Sequence, residues 1–331
     1  MIRENFTSTD TYHIPLLADA SVPHLEAAFP APFHISRYQT LSDIPKLLPN
    51  QEILLCRSTT RIDANLLAKN TLRYVLTASS GTDHIDETFL AKQHITLFDA
   101  KGSNAHAVVD YVLACMAYLQ IKHDFIPHKV GIIGLGAVGS HLQNTLTQLK
   151  YSIITYDPLK ALQNPHFKSA SLDELYACDL LCLHANLHEN SPYPSINLIN
   201  ASFLAQLPTN SAIINAARGG IINEAALLHS CKPLYYCTDV YLHEPTPNPE
   251  IIARAALCTP HIAGHTVEAK TRAILELSQK LHQAYQLRCP KEVLTQLAQM
   301  KPSQMQLLEK WQEPILQHWS PVLETQALKA S

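Results

Sequence analysis

Glycines at 134, 136 and 139 stand between an apolar run at 130–133 and a stretch of helical pattern that lasts through Leu149. A second apolar run follows at 152–156 and ends on Asp157. Strand, G-x-G-x-x-G turn, helix, strand and closing acid is the order that a Rossmann dinucleotide-binding unit requires. Gly134 permits the tight turn, Gly136 leaves room for a pyrophosphate, and Gly139 lets helix and strand pack closely. Ala137 and Val138 open the helix, whose free N–H groups and positive dipole end face the phosphates. The Asp157 carboxylate accepts hydrogen bonds from ribose hydroxyls and repels a 2′-phosphate. The residues after it, Pro158-Leu159-Lys160, bring no arginine to reverse that preference. The expected cofactor is NAD rather than NADP.

The same alternation extends along the chain. Strands are expected at 130–134, 152–156, 179–184, 212–216, 235–239 and 256–259, each nearly continuous in apolar residues, as strands buried on both faces must be. Residues 1–100 read as a separate series, with strands at 14–18, 53–56, 74–77 and 96–98 and helices such as 23–29 and 63–68. The fold class is α/β with parallel sheets covered on both faces. A strongly apolar segment at 105–122, with Val108, Val112, Cys115, Met116 and Leu119 at helical spacing, crosses from the first series to the second. A further helix is expected from 266 to 287, and 290–331 gives short amphipathic pieces interrupted by Pro302, Pro314 and Pro321.

Composition narrows the function classes. The net charge of −3 offers no attraction to nucleic acid or acidic membranes. No apolar run approaches the roughly 20 residues of a membrane span, and the first twenty residues lack a signal-peptide core. The expected location is the cytoplasm. The eight cysteines form no CxxC pair, which suits buried reduced thiols. Eighteen histidines raise a metal site, but the HxxxH pairs 184/188 and 261/265 lack the three or four converging ligands of a zinc centre, so no metal is expected. Only nine glycines occur in 331 residues, against a usual share near 7%. A chain so sparing of glycine should keep it where backbone geometry or a ligand demands it.

Three polar residues lie just past strands of the second series. Arg218 follows in N-A-A-R-G-G, Glu244 in Y-L-H-E-P, and His261 in T-P-H. Ligands of open α/β sheets bind outside the carboxyl ends of strands, so these segments aim at one crevice. Oxidation of a 2-hydroxy acid needs a base for the hydroxyl proton, a cation for the carboxylate, and NAD beside C2. His261 suits the base. Glu244 can fix its tautomer and favour the protonated form. Arg218 can hold a carboxylate in a two-bond fork. Asp239, closing its strand, is placed to accept from the nicotinamide carboxamide.

N-A-A-R-G-G, D-V-Y-x-x-E-P and T-P-H-I-A-G resemble, in order and spacing, the signatures of the D-2-hydroxyacid dehydrogenases. The likeness is closest to a subfamily acting on a phosphorylated four-carbon 2-hydroxy acid. It includes D-x-x-x-P (19–23), C-R-S (56–58), T-A-S-S-G-T-D-H-I-D (77–86), G-S-N-A-x-A-V-V-D-Y-V (102–112) and H-I-A-G-H-T-x-E-x-K (261–270). This resemblance implies two doubly wound parallel-sheet domains, a Rossmann NAD domain inserted in a flavodoxin-like substrate domain. The expected boundaries are 1–103 (first part of the substrate domain), 104–260 (NAD domain), 261–289 (return helix) and 290–331 (a short C-terminal extension). It further implies that Ser58 and Ser79 contact substrate, that Gly264 lies against the cofactor, and that position 265 faces the substrate. By the same likeness Ala185, Ala216 and Ala217 join Gly134, Gly136, Ala137, Val138, Gly139, Asp157, Arg218, Asp239 and Gly264 as cofactor contacts. Arg57, next to Ser58, suits a substrate phosphate. A homodimer through the apolar 105–119 region is implied as well.

The chain departs from the subfamily pattern at three points. His265 stands where tyrosine is usual, His184-Ala185-Asn186-Leu187 replaces an H-x-P-L turn, and only about 40 residues follow Cys289. Two other readings stay open at this level: a dehydrogenase or keto-acid reductase for another 2-hydroxy acid, and an NAD-sensing corepressor-like protein that binds without turnover.

Overall fold

The computed structural model describes residues 13–68, 70–300, 311–318 and 321–330. It divides into two compact units, Met1–Asn104 with Val267–Lys301, and Ala105–Thr266 with Pro302–Ser331. Each is built on its own parallel sheet.

The first unit contains β1 (Ile14–Asp19), α1 (Leu25–Ala28), β2 (Phe33–Tyr38), α2 (Ile44–Leu47), β3 (Ile53–Cys56), β4 (Tyr74–Thr77), α3 (Glu87–Lys92) and β5 (Thr96–Asp99). Its strand order, β2-β1-β3-β4-β5, is the flavodoxin-like doubly wound order. Successive residues of β1 point to opposite faces. Leu16 and Ala18 enter one core with Phe29 and Leu76, while Leu17 enters another with Ile44 and Leu54. Two details differ from the sequence expectation. β2 is an edge strand whose F-H-I-S-R-Y alternates polar and apolar residues, so it lacks the continuous apolar run that marked the other strands. The helix expected at 63–68 is instead a single turn. Asp63 accepts from the N–H groups of Asn65 and Leu66, and the chain does not continue as a helix.

The second unit begins with α4 (Ala105–His123). It continues through β6 (Lys129–Ile133), α5 (Ala137–Gln148), β7 (Ser152–Tyr156), α6 (Pro158–Gln163), α7 (Leu172–Leu175), β8 (Leu180–Leu183), α8 (Ala201–Gln206), β9 (Ser211–Asn215), α9 (Glu224–His229), β10 (Leu234–Thr238), α10 (Pro249–Arg254) and β11 (Leu257–Cys258). All six expected strands are present, and the sheet runs β11-β10-β9-β8-β6-β7, every pair parallel. Beyond β7 the Rossmann order calls for one more strand; here that place holds the bond from Ala170 N–H to Thr155 O. Ile132, Cys182 and Ile214 fill the core on one face, and Ile133, Leu183 and Ile213 the core on the other.

α11 (Val267–Ala284) and α12 (Lys291–Gln299) belong to the first unit, where Ser278 Oγ donates to Ala28 O at 2.5 Å. α13 (Gln312–His318) and α14 (Pro321–Ala330) belong to the second. Pro314 lies inside α13 and Pro321 opens α14 rather than interrupting a helix; Pro302 falls outside the described residues. Trp311 and Ile315 join the core beneath α4, so the chain itself covers part of that all-round apolar helix. No helix among the described residues is long and apolar enough to cross a membrane.

Candidate active site

The dinucleotide turn has the geometry that its glycines predict. Gly134 has φ of +91°, and a Cβ there would stand 2.5 Å from the backbone nitrogen of Ala185. This places Ala185, in the segment after β8, directly beside the turn. A Cβ on Gly139 would meet Gly134 O at 1.9 Å, so α5 and the turn are in contact across the missing side chain. A Cβ on Gly136 would meet nothing within 4 Å. Gly136 is the N-cap of α5 and no side chain caps that helix, which leaves the first-turn N–H groups of Ala137, Val138 and Gly139 to bind an anion. The Asp157 carboxylate accepts from Leu135 N–H at 2.8 Å and Lys160 N–H at 2.9 Å. A carboxylate offers about four acceptor positions, so capacity remains for ribose hydroxyls. Open space, free N–H groups and an acid at the end of β7 together fit NAD.

The segments that carry Arg218 and Glu244 meet through backbone, at Gly219 and Tyr241. Asn215, ending β9, holds the turn after it by donating from Nδ2 to Arg218 O and accepting from Ala217 N–H. Gly219 then passes so close to the next crossover that a Cβ would stand 1.8 Å from Tyr241 O. On that crossover Tyr241 N–H donates to Glu244 Oε1 at 2.9 Å, and buried Glu224 accepts from Leu242 N–H. Arg218 Nη1 donates to Ala217 O at 2.7 Å, and its charge depresses the pKa of both Glu244 and His261.

His261 has φ of +56°, a left-handed backbone that costs a non-glycine residue of order 1–3 kcal/mol. Asp239, at the end of β10, holds it there. One oxygen accepts from Thr259 Oγ1 at 2.6 Å and Ile262 N–H at 2.8 Å, and the other from Ala263 N–H at 2.9 Å. His261 Nδ1 and Glu244 Oε2 are 2.6 Å apart. That bond, more than any other influence, raises the His261 pKa above its usual value. Burial alone would raise Glu244, but the hydrogen bond and charge of His261 hold it below the usual carboxylate value. The result is a short hydrogen-bonded pair that favours the protonated imidazole, with its Nε2 side free of Glu244. Gly264 lies in the turn that follows, and the His265 ring is parallel to His261 with centroids 6.4 Å apart.

In the first unit, Ser58 and Ser79 each lie two residues beyond the paired strand ends Cys56 and Thr77, past the carboxyl ends of two adjacent strands. Arg57 Nη1 donates to Ser21 Oγ at 2.6 Å, and Arg57 Nε lies 3.8 Å from Asp19, all lining a pocket of about 310 Å³. Arg57 therefore already has an acidic neighbour, which its position in C-R-S did not reveal. Sequence reasoning also passed over Asn215, Thr259 and Tyr241. Each bonds to a singled-out residue, Asn215 to Arg218, Tyr241 to Glu244 and Thr259 to Asp239, and such a supporting bond leaves no chemical signature in a motif.

Residues 119–263 match the model of the D-isomer-specific 2-hydroxyacid dehydrogenase NAD-binding domain. The chain belongs to the D-isomer-specific 2-hydroxyacid dehydrogenase family, NAD-dependent oxidoreductases built on two parallel-sheet domains. Among its relatives, the erythronate-4-phosphate dehydrogenase of Legionella pneumophila is 48% identical over 315 residues, 95% of this chain and 89% of that protein. The erythronate-4-phosphate dehydrogenase of Coxiella burnetii is 40% identical over 225 residues, 67% of this chain and 61% of that protein. Among solved structures, the NAD-bound 3-phosphoglycerate dehydrogenase of Entamoeba histolytica superposes with a TM-score of 0.68. It is 20% identical, covers 83% of this chain and 96% of its own, and so speaks for the fold alone.

Proposed function

We propose that the protein oxidises 4-phospho-D-erythronate at C2 to 2-oxo-3-hydroxy-4-phosphobutanoate, a step toward pyridoxal 5′-phosphate. The observation that carries the reaction is the Glu244–His261 pair at 2.6 Å, beyond the strand ends of a sheet with an NAD turn. The choice of substrate rests on the relatives' name and on their high identity over nearly the whole chain.

NAD, when bound, accepts the hydride. The substrate's C2 hydroxyl donates its proton to Nε2 of His261 as the C2–H electron pair leaves and the carbonyl forms. Glu244 stabilises the imidazolium so produced, and in the reverse direction His261 returns the proton. Arg218 grips the substrate carboxylate and neutralises its charge. Ser58, Ser79, Arg57 and His265 are the proposed contacts for the rest of the substrate. The Asp239 carboxylate keeps one acceptor position for the nicotinamide carboxamide. The working form is proposed to be a cytoplasmic homodimer.

The test is a kcat/KM panel, read as NADH absorbance at 340 nm, comparing 4-phosphoerythronate, 3-phosphoglycerate, glycerate and lactate. The proposal expects 4-phosphoerythronate to lead, and Arg218→Ala and His261→Ala to lose most activity. Preference for an unphosphorylated acid would overturn the substrate. NADH binding without turnover of any 2-hydroxy or 2-keto acid would overturn the enzyme.

A further inference from the structure

β11 has only two residues and ends its sheet, so one side of its backbone has no neighbouring strand. Cys258, its last residue, is nevertheless fully buried, where an unpaired N–H is costly. Thr325 of α14, itself buried, supplies the partner. Its Oγ1 accepts from Cys258 N–H at 3.0 Å and lies 2.9 Å from Cys258 O and 2.8 Å from Pro321 O, to one of which it gives its single proton. A side-chain hydroxyl from 67 residues away thus stands in for the missing strand. Four residues further along α14, Lys329 Nζ donates to Ala255 O at 2.6 Å, clamping the entry to β11.

The segment so fixed leads straight to the site. Thr259 O accepts from Tyr241 OH at 3.0 Å, Pro260 stiffens the next link, and His261 follows in its left-handed backbone. Leu328, one helical turn past Thr325, lines a cavity of about 130 Å³ with Tyr241, Glu244, Pro260 and His261. Its apolar side chain forms one wall of that cavity beside the His261–Glu244 pair, whose side chains are 48% and 33% exposed, and on that side it takes the place of water that would weaken the attraction.

We propose that α14 is a positioning element for His261, with Thr325 fixing the backbone that carries it and Leu328 walling the flank of its pair with Glu244. Neither touches the reacting atoms; both act through His261, and the inference rests on the acid–base role proposed above. The charged and titratable groups facing His261 are Glu244, Asp239, Arg218, His265 and Tyr241. Of the two charges on α14, Glu324 and Lys329, the Lys329 ammonium donates to Ala255 O.

The experiment compares Thr325→Val, Thr325→Ser and Leu328→Ala in the full chain. The imidazole titration of His261 is followed by NMR without substrate or cofactor, beside kcat, KM and NADH affinity. In Thr325→Val the His261 midpoint should fall by about half a unit or more as the pair loosens. Misplacement of this kind should lower kcat by about tenfold or more. NADH affinity should stay within about twofold because the turn at Gly134–Gly139 is elsewhere, and Thr325→Ser should restore both. Leu328→Ala should lower the midpoint too, and it decides the matter if Thr325→Val does not fold. Variants that lose thermal stability but keep the midpoint and kcat would reduce α14 to packing and overturn the proposal. A wild-type protein with no turnover sinks the reaction instead, while the titration still reports on α14.

Discussion

At the scale of single residues, the site is a set of ionisable groups that shift one another. Glu244 raises the His261 pKa chiefly through its hydrogen bond, with Asp239 adding a smaller electrostatic contribution and Arg218 opposing it. Oxidation needs His261 neutral, so the ascending limb of its pH profile follows that raised value. Glu244→Gln should move this limb to lower pH and cut the rate by about 10²-fold or more, since a weaker base accepts the proton less readily. A pH series of kcat/KM checks it; an unmoved limb would mean that another group titrates. The linked stability has a definite sign. A histidine raised in the folded state stabilises below its unfolded pKa, about 6.5, and the contribution is lost as pH rises through the folded value. Asp239 is pushed up to about 6, first by burial and then only partly relieved by its hydrogen bonds. Its stabilising influence on folding therefore also declines as pH rises, from about 3.8 toward 6. Asp239→Asn replaces one acceptor oxygen with a donor, leaving Ile262 or Ala263 N–H facing it unpaired. The expected cost is about 1–3 kcal/mol in urea unfolding, with His261 activity lost along with it. The residue types of this set were legible in the sequence, because Arg, Glu and His followed successive strands. The backbone role of Asp239 was not, since its three partners lie 20, 23 and 24 residues further along the chain.

At the scale of elements, strands buried on both faces declared themselves as apolar runs, and the six of the second unit could be read directly. The polar alternation of β2 and the one-turn stop at Asp63 could not, because an edge position and a local side-chain bond decided them. The β6–turn–α5 element yields a sharper test, since its glycines serve different ends. Gly139→Ala puts a methyl 1.9 Å from Gly134 O, and α5 must shift. Overpacking of this kind costs about 1–3 kcal/mol, so both Tm and NADH affinity should fall. Gly136→Ala enters open space and should change stability by no more than about 0.5 kcal/mol. Its methyl instead occupies the room kept for the pyrophosphate, and NADH affinity should weaken by about tenfold or more, roughly 1.4 kcal/mol. Thermal unfolding and fluorescence titration of the two variants separate these effects. Equal loss of stability in both would show that Gly136 has a folding role instead.

At the scale of the whole chain, two units with separate cores need not melt together. The first is built around Leu16, Leu54 and Leu76, the second around Ile132, Cys182 and Ile213, and each has its own sheet. The sequence could announce two series of strands, but not that 311–330 would return to the second: α13 and α14 carry little pattern of their own, and their place is set by the Trp311, Ile315 and Thr325 contacts. Calorimetry should accordingly resolve two transitions, a departure from two-state behaviour expected of multi-domain chains. The turn, Asp157 and the Glu244–His261 pair all lie in the second unit, so NADH should raise that unit's transition and leave the first where it was. At 100 times its dissociation constant a ligand adds about 2.7 kcal/mol to the unit that binds it. For a unit of this size each kcal/mol raises Tm by about 2–4 °C. Thr325→Val should lower the same transition that NADH raises, because Thr325 ties α14 to β11 of that sheet. If NADH moved both transitions equally, the two units would be unfolding as one, and the stability of α14 could no longer be assigned to the cofactor-binding half alone.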